Sequence, residues 1–249
     1  GVKVTSNVLV SPTTILTTSP PNYYDELDFN NDWIVYTTRA LGTTTSFLDY
    51  YDINSGLTNV ITSSLGLIQN LELADSFVAF DSGTNSPPPF NYNYNIYVYE
   101  LLTNNLVTVA NSNLFELNPK LAAIQSLGNY FLIYNLQSNP TPTAVLNVVL
   151  STNPISIIQI PFTTDYPVNL MGDLDYNPAQ TTVILSYLNI YSSNEQLYLH
   201  KLDIPTSLYQ TFHIPAPQFS GISPGQISGN NVIFSGIRNQ VYRVAVSTC

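Results

Sequence analysis

Cysteine is almost missing from this 249-residue chain, and Cys249, the last residue, is the only one. An internal disulfide and a cysteine-built metal site are therefore excluded; a terminal thiol leaves open a bridge to another molecule. Charge is scarce as well. Charged residues make up 9% of the chain, against about 25% in ordinary soluble domains. Only 6 are Lys or Arg, the net charge is −10, and no basic run occurs. Nucleic acid is excluded as a partner, because binding it depends on clustered cations. No apolar run reaches the roughly 18 residues of a membrane span, so no direct membrane insertion is expected. Also missing are a Gly-x-Ser-x-Gly elbow, a glycine-rich phosphate loop and a Cys–His pair. The two histidines, His200 and His213, stand in or at the end of strand-like segments. Nothing calls for a cofactor or a bound metal. Even the glycan-acceptor triplet is lacking, since Asn139-Pro140-Thr141 is blocked by its proline.

What the chain has instead is 44% hydrophobic residues, 18 tyrosines, and Asn, Ser and Thr at the polar positions. That is ample material for a core. A nearly uncharged surface also resists acid, because few Lys and Arg are left to repel when carboxylates protonate. Little change in stability is expected between neutral pH and about pH 3. The composition fits an acidic exterior, such as that of a thermoacidophilic archaeon or its virus. The opening Gly1-Val2-Lys3-Val4 reads as a processed start and agrees with export. An extracellular, cell-surface or virion-associated protein is expected.

Internal repetition organises the chain. Glu26-Leu27-Asp28-Phe29-Asn30 recurs as Asp173-Leu174-Asp175-Tyr176-Asn177, and Asn70-Leu71-Glu72-Leu73-Ala74 reads in the same register. Apolar strands follow, beginning near Trp33, Phe77, Tyr130, Val183 and Val232. Their spacing of about 44 to 54 residues is that of propeller blades. A third strand follows in each unit, as in Asn95–Leu101 and Gln196–Leu202, then a turn such as Asn54-Ser55-Gly56 and a fourth strand. The second strands are apolar on both faces, which radial packing explains better than a two-layer sandwich. The fifth unit ends after its third strand at Val246, while Asn7–Val10 and Thr14–Thr18 are unassigned β-like segments. The reading is an all-β, five-bladed β-propeller of four-stranded antiparallel blades. It is a single domain over residues 1–249, closed by an N-terminal strand from residues 1–18 that completes the last blade. A pair of β-sandwiches is the structural alternative.

Ile227-Ser228-Gly229-Asn230-Asn231-Val232-Ile233-Phe234, and strands of the Ile96-Tyr97-Val98-Tyr99-Glu100-Leu101 type before an Asn/Gly turn, resemble the TolB-like propeller repeat. The resemblance covers about residues 26–249. It implies a fold common among periplasmic and archaeal surface proteins, and it carries over no catalytic residue.

Two places could hold function. Asp28, Glu72 and Asp175 read as matching positions on innermost strands, with Gln125 and Gln226 in the other two places. Two carboxylates on opposite blades are what a glycosidase needs; the same acids could instead hold backbone in a narrow channel. The second place is the face carrying the connections between second and third strands: Asp81 to Asn93, Gln137 to Pro142, and Asn189 to Ser193. Phe90, Tyr92, Tyr94 and Tyr191 lie there among Asn and Pro. Flat aromatic contact area beside amide donors suits a protein or glycan surface. The expected function is binding or surface structure through this face, with a secreted glycosidase as one rival and a purely structural brick as another.

Overall fold

The computed structural model describes residues 4–5, 8–9, 22–43, 45–62, 65–85, 92–111, 115–124, 129–138, 141–152, 155–160, 170–179, 181–191, 194–206, 208–214, 221–223, 225–228, 231–238 and 241–248. Every regular element among them is a strand. β1 (Val4–Thr5) and β2 (Val8–Leu9) pair only with each other. The first sheet is β3 (Asn22–Phe29), β4 (Trp33–Ala40), β5 (Ser46–Asp52) and β6 (Leu57–Thr62). The second is β7 (Leu67–Ala74), β8 (Phe77–Asn85), β9 (Tyr92–Glu100) and β10 (Asn105–Ala110). β11 (Phe115–Ile124), β12 (Asn129–Ser138), β13 (Thr141–Thr152) and β14 (Ile155–Ile160) make the third. The fourth is β15 (Leu170–Asn177), β16 (Thr182–Tyr191), β17 (Asn194–Asp203) and β18 (Leu208–Ile214). The fifth has three strands, β19 (Gln226–Ser228), β20 (Asn231–Arg238) and β21 (Val241–Thr248). Each sheet is an antiparallel meander in chain order, so the units read from the repeats are the units of the fold.

Alternation along the second strands explains why both faces are apolar. Phe77 and Ala79 of β8 pack against Leu121, Tyr130, Leu132 and Tyr134 of the third sheet. Val78 and Phe80, pointing the other way, pack with Val35, Leu48 and Tyr50 of the first. Phe131 and Ile133 of β12 meet Val183, Leu185 and Tyr187 of the fourth sheet. Leu188, Leu197 and Leu199 then meet Val232 and Phe234 of the fifth. Four apolar clusters thus fill the four spaces between consecutive sheets. A sheet with period-2 alternation and a neighbour on each face buries every second-strand residue. The first strands β3, β7, β11, β15 and β19 contact one another in that order. This is radial stacking, with the first strands innermost.

The closing strand has a different standing. Among the described residues β21 pairs only with β20, and β2 pairs with β1 through Val4↔Leu9 and Thr5↔Val8. Thr14–Thr18 lie outside the described residues, as does Cys249.

Candidate functional site

Four of the five innermost strands share one irregularity. In β3 the register jumps between Tyr24↔Thr38 and Leu27↔Tyr36, so Asp25 and Glu26 stand opposite Thr37 alone. The same two-against-one bulge sits at Asn70-Leu71, Asn118-Pro119 and Gly172-Asp173. Asn70 and Asn118 take the left-handed conformation there, φ 54° and 55°, which Asn tolerates better than most residues. A bulge leaves its extra N–H without a ladder partner. The sequence supplies one: Glu26 N–H donates to Thr37 Oγ1 at 3.0 Å and Asp173 N–H to Ser186 Oγ at 2.8 Å.

Strand pairing places the candidate acids alike. Asp28 stands opposite Val35, Glu72 opposite Ala79 and Asp175 opposite Ile184, and each of these second-strand residues packs toward the following blade. Gln226 is exposed on β19, and Gln125 lies outside the described residues.

The acids do something more specific than line a channel. Glu26 Oε2 accepts from Leu71 N–H and Asp28 Oδ2 from Leu73 N–H, both at 2.7 Å, which ties the first inner strand to the second. Asp81 Oδ2, on β8, accepts from Asn118 N–H of the third sheet at 3.0 Å and from Asn70 Nδ2 at 2.6 Å. Asp173 Oδ2 accepts from Ile227 N–H of the fifth at 2.8 Å. Ser186 Oγ donates to Gly225 O at 2.8 Å, and Glu195 accepts from Ile222 N–H. Lys120 Nζ of the third sheet reaches Glu72 Oε2 of the second at 2.7 Å. Asp175 Oδ1 accepts from its own neighbour, Tyr176 N–H, at 2.9 Å.

Burial governs the protonation of this cluster. It pushes the Glu72 carboxyl up to about 7 despite the attraction of Lys120, and Asp173 and Asp28 push it further. Asp81 rises to about 7 for the same reason, against the hydrogen bonds from Asn118 and Asn70. Burial also raises Asp28, Asp173 and Asp175, while Lys120 pulls Asp28 and Asp173 down. Lys120 therefore acts on acids of three other sheets. Among the described residues no three His, Cys, Asp or Glu side chains are grouped to hold a metal ion. His200 is buried, its Nδ1 at 3.1 Å from Thr211 Oγ1 and its ring stacked on Tyr209; His213 packs on Tyr198.

Glu26, Asp81, Lys120 and Asp173 were not singled out from sequence as site residues. The signal for two of them is present, since two of the repeats carry acids two apart, Glu26-x-Asp28 and Asp173-x-Asp175. For Asp81 and Lys120 no repeat signal exists.

The expected long loops are mostly strand. β8 and β9 remain paired out to Asn85↔Tyr92, β12 and β13 to Ser138↔Thr141, and β16 and β17 to Tyr191↔Asn194. The second-to-third connections are thus extended hairpin arms. Continuous alternation lengthens each ladder well past the turn residues, and Pro142 is accommodated opposite Gln137. Tyr92, Tyr94 and Tyr191 are strand residues on these arms, and Phe90 lies outside the described residues. Tyr94 is half-buried opposite Gly83, where a Cβ would come within 2.6 Å of its ring. The absence of a side chain at Gly83 is what lets the Tyr94 ring lie across the strand.

No family model and no curated protein matches the chain. Solved structures do. TolB from Acinetobacter baumannii aligns with TM-score 0.56 and 15% identity over 87% of this chain and 50% of that one. The fold is that of a TolB-like β-propeller. The nidogen/laminin complex gives 0.55 and 11% over 94% of this chain and 80% of that one, and hydrazine synthase from Kuenenia stuttgartiensis 0.52 and 11% over 82% and 34%. The chain thus spans half the length of the TolB chain it matches. At these identities the likeness is one of fold, and the sheets are propeller blades.

Proposed function

We propose that this protein is a non-enzymatic binding or structural β-propeller working outside the cytoplasm, at a cell surface or on a virion. Its ring has five blades over residues 1–249, with the N-terminal segment completing the last. The observation that carries the functional reading is the use made of the inner-strand acids. Glu26, Asp28, Asp81 and Asp173 accept backbone N–H groups of the following blade, and Glu72 is paired with Lys120. Glycoside hydrolysis needs an acid and a base or nucleophile aimed at a sugar between them; these oxygens are aimed at the protein. Glu72 and Asp81, both near 7, have the protonation of a general acid, but Glu72 is bonded to Lys120 and Asp81 to Asn118 N–H and Asn70 Nδ2, which accounts for both within the fold. A binding role also agrees with the nidogen/laminin likeness, that structure being a complex between proteins.

The contact face is assigned to the hairpin arms β8–β9, β12–β13 and β16–β17. They combine Tyr and Asn with almost no charge, a surface suited to protein edges or sugar rings and poor for phosphate. Tyr92 and Tyr191 are the proposed anchors beside Phe90, whereas Tyr94 has a packing role on Gly83. The partner is identified by what co-purifies with the native protein. Tyr92→Ala and Tyr191→Ala should each weaken that partner by about 2 kcal/mol with unchanged melting, and Tyr94→Ala should lower melting. Normal binding by the Tyr92→Ala/Tyr191→Ala double variant would retire this face.

A further inference from the structure

The rim of the fourth blade carries a second surface, independent of the hairpin arms. An edge strand exposes unpaired N–H and C=O groups, and stable proteins blunt it with Lys, Pro or a bulge. β18 has none of these. Leu208-Tyr209-Gln210-Thr211-Phe212-His213-Ile214 contains no Lys, Arg, Asp, Glu or Pro. Its register on β17 runs unbroken from Leu197↔Ile214 to Asp203↔Leu208. The outer strands β6, β10 and β14 each lose register against their third strands. Leu208, Tyr209 and Phe212 are 69%, 42% and 44% exposed, and among the described residues no strand covers the far side of β18.

The geometry points to a second copy of this chain as the occupant, with β18 pairing antiparallel to β18 of the other copy about a twofold axis at Thr211. A twofold contact sets residue i against j and j against i. Here Tyr209 comes opposite His213, Gln210 opposite Phe212 and Leu208 opposite Ile214, each a compatible pair. The Tyr209–His213 pairs extend ring contacts already present, His200–Tyr209 at 5.0 Å and Tyr198–His213 at 5.2 Å, across the junction. The two fourth blades become one continuous sheet of eight strands. Charge favours this site for self-association. Two copies of net charge −10 repel, but screening confines the repulsion to about 8 Å at physiological salt, and this strand contributes no acid. The nearest charges, Lys201 and Asp203, stand one strand back, opposite Gln210 and Leu208. One strand pair buries less than the about 800 Å² per partner of a standard interface, so the dimer is expected to form in the micromolar range.

Sedimentation velocity on the full chain from about 1 to 100 µM tests this. The wild type should pass from monomer to dimer across that range. Gln210→Lys/Phe212→Lys sets four lysines across the axis and should raise the dissociation constant at least about tenfold, with melting and β-sheet signal unchanged. Gln210→Glu/Phe212→Lys sets Glu opposite Lys in the same register. It should restore the dimer at low salt and lose it at high salt, which also shows that the edge tolerates substitution. A wild type that stays monomeric throughout overturns the inference, including the case in which the edge takes a strand from some other protein. So does a double-lysine variant that dimerises like the wild type, or a Glu/Lys variant that folds but stays monomeric at low salt. Tyr92→Ala should leave the dimer intact, which separates this surface from the hairpin-arm face.

Discussion

The four seams between consecutive blades differ from the two outer faces, that of the first blade turned away from the second and that of the fifth turned away from the fourth. Each of the four encloses an apolar cluster, and three of them add acids that accept backbone N–H groups of the next blade. On the first blade, the face turned away from the second leaves Leu27 and Phe29 53% and 68% exposed, with Phe47 and Val60 on the same side. Ile233 of the fifth blade, pointing opposite to Val232 and Phe234, is exposed too. The difference teaches what holds the blades together. Apolar burial supplies most of the energy, and the acids fix how far each inner strand slides against the next, because one lone pair meets one N–H.

The largest test of that contrast is removal of the segment assigned to the fifth-to-first seam. On the proposed closure, deleting residues 1–18 withdraws the partner of an edge and the cover of an apolar face, and should lower the melting temperature by about 10 °C or more. Unchanged melting would mean that the ring closes without them, or stands open.

Second in size is the pH response of the sealed seams. Glu72 and Asp81 have folded values near 7, above their ordinary 4.5 and 3.8. Both are raised groups, so the folded state holds extra protons between about pH 4 and 7. The stability they confer is complete below their unfolded values and lost as pH rises through 7. Melting should therefore rise from pH 8 to pH 5 by an amount worth a few kcal/mol. Composition alone indicates indifference to acid; the buried acids turn indifference into preference. In Asp81→Asn the slope should flatten, and equal slopes in variant and wild type would assign the titration elsewhere.

Asp173→Ala comes next. It leaves the Ile227 N–H, half-buried between the fourth and fifth blades, without its acceptor. The expected cost is about 2 kcal/mol, and Asp173→Asn, which keeps an acceptor oxygen, should recover much of it. If Ala and Asn behave alike, the hydrogen bond is not what joins these blades.

How much of this the sequence disclosed follows from the kind of signal each feature leaves. The meanders were readable because alternation and turn residues recur at blade spacing, as in Phe77-Val78-Ala79-Phe80 before Asn95–Leu101. The stitching acids were half readable: Glu26-x-Asp28 and Asp173-x-Asp175 announce themselves as a repeat, but which N–H each acid meets depends on the blade beside it. The bulge was invisible. Asn70-Leu71 and Asn118-Pro119 share no pattern with Asp25-Glu26. The arms were mistaken for loops because Asn and Pro read as turn residues, whereas long cross-strand ladders override that local preference.

The smallest expected effect is the sharpest measure of the contrast, because its two outcomes differ in kind. Phe29→Ser removes an aromatic ring from the outward face of the first blade. If that face stays as exposed as it stands here, the ring contributes little and the cost is within about 0.5 kcal/mol. If the fifth blade and the N-terminal segment close over it in solution, the same change empties a packed site and costs about 3 kcal/mol or more. Val78→Ser, in a seam already filled, is the control that must be costly either way. Near-equal losses at the two positions would show a ring sealed all round; a large loss at Val78 beside none at Phe29 would show four closed seams and one open. The deletion of residues 1–18 then separates the two causes. If it abolishes the cost of Phe29→Ser, the cover is the N-terminal segment, and if the cost persists, the fifth blade provides it alone.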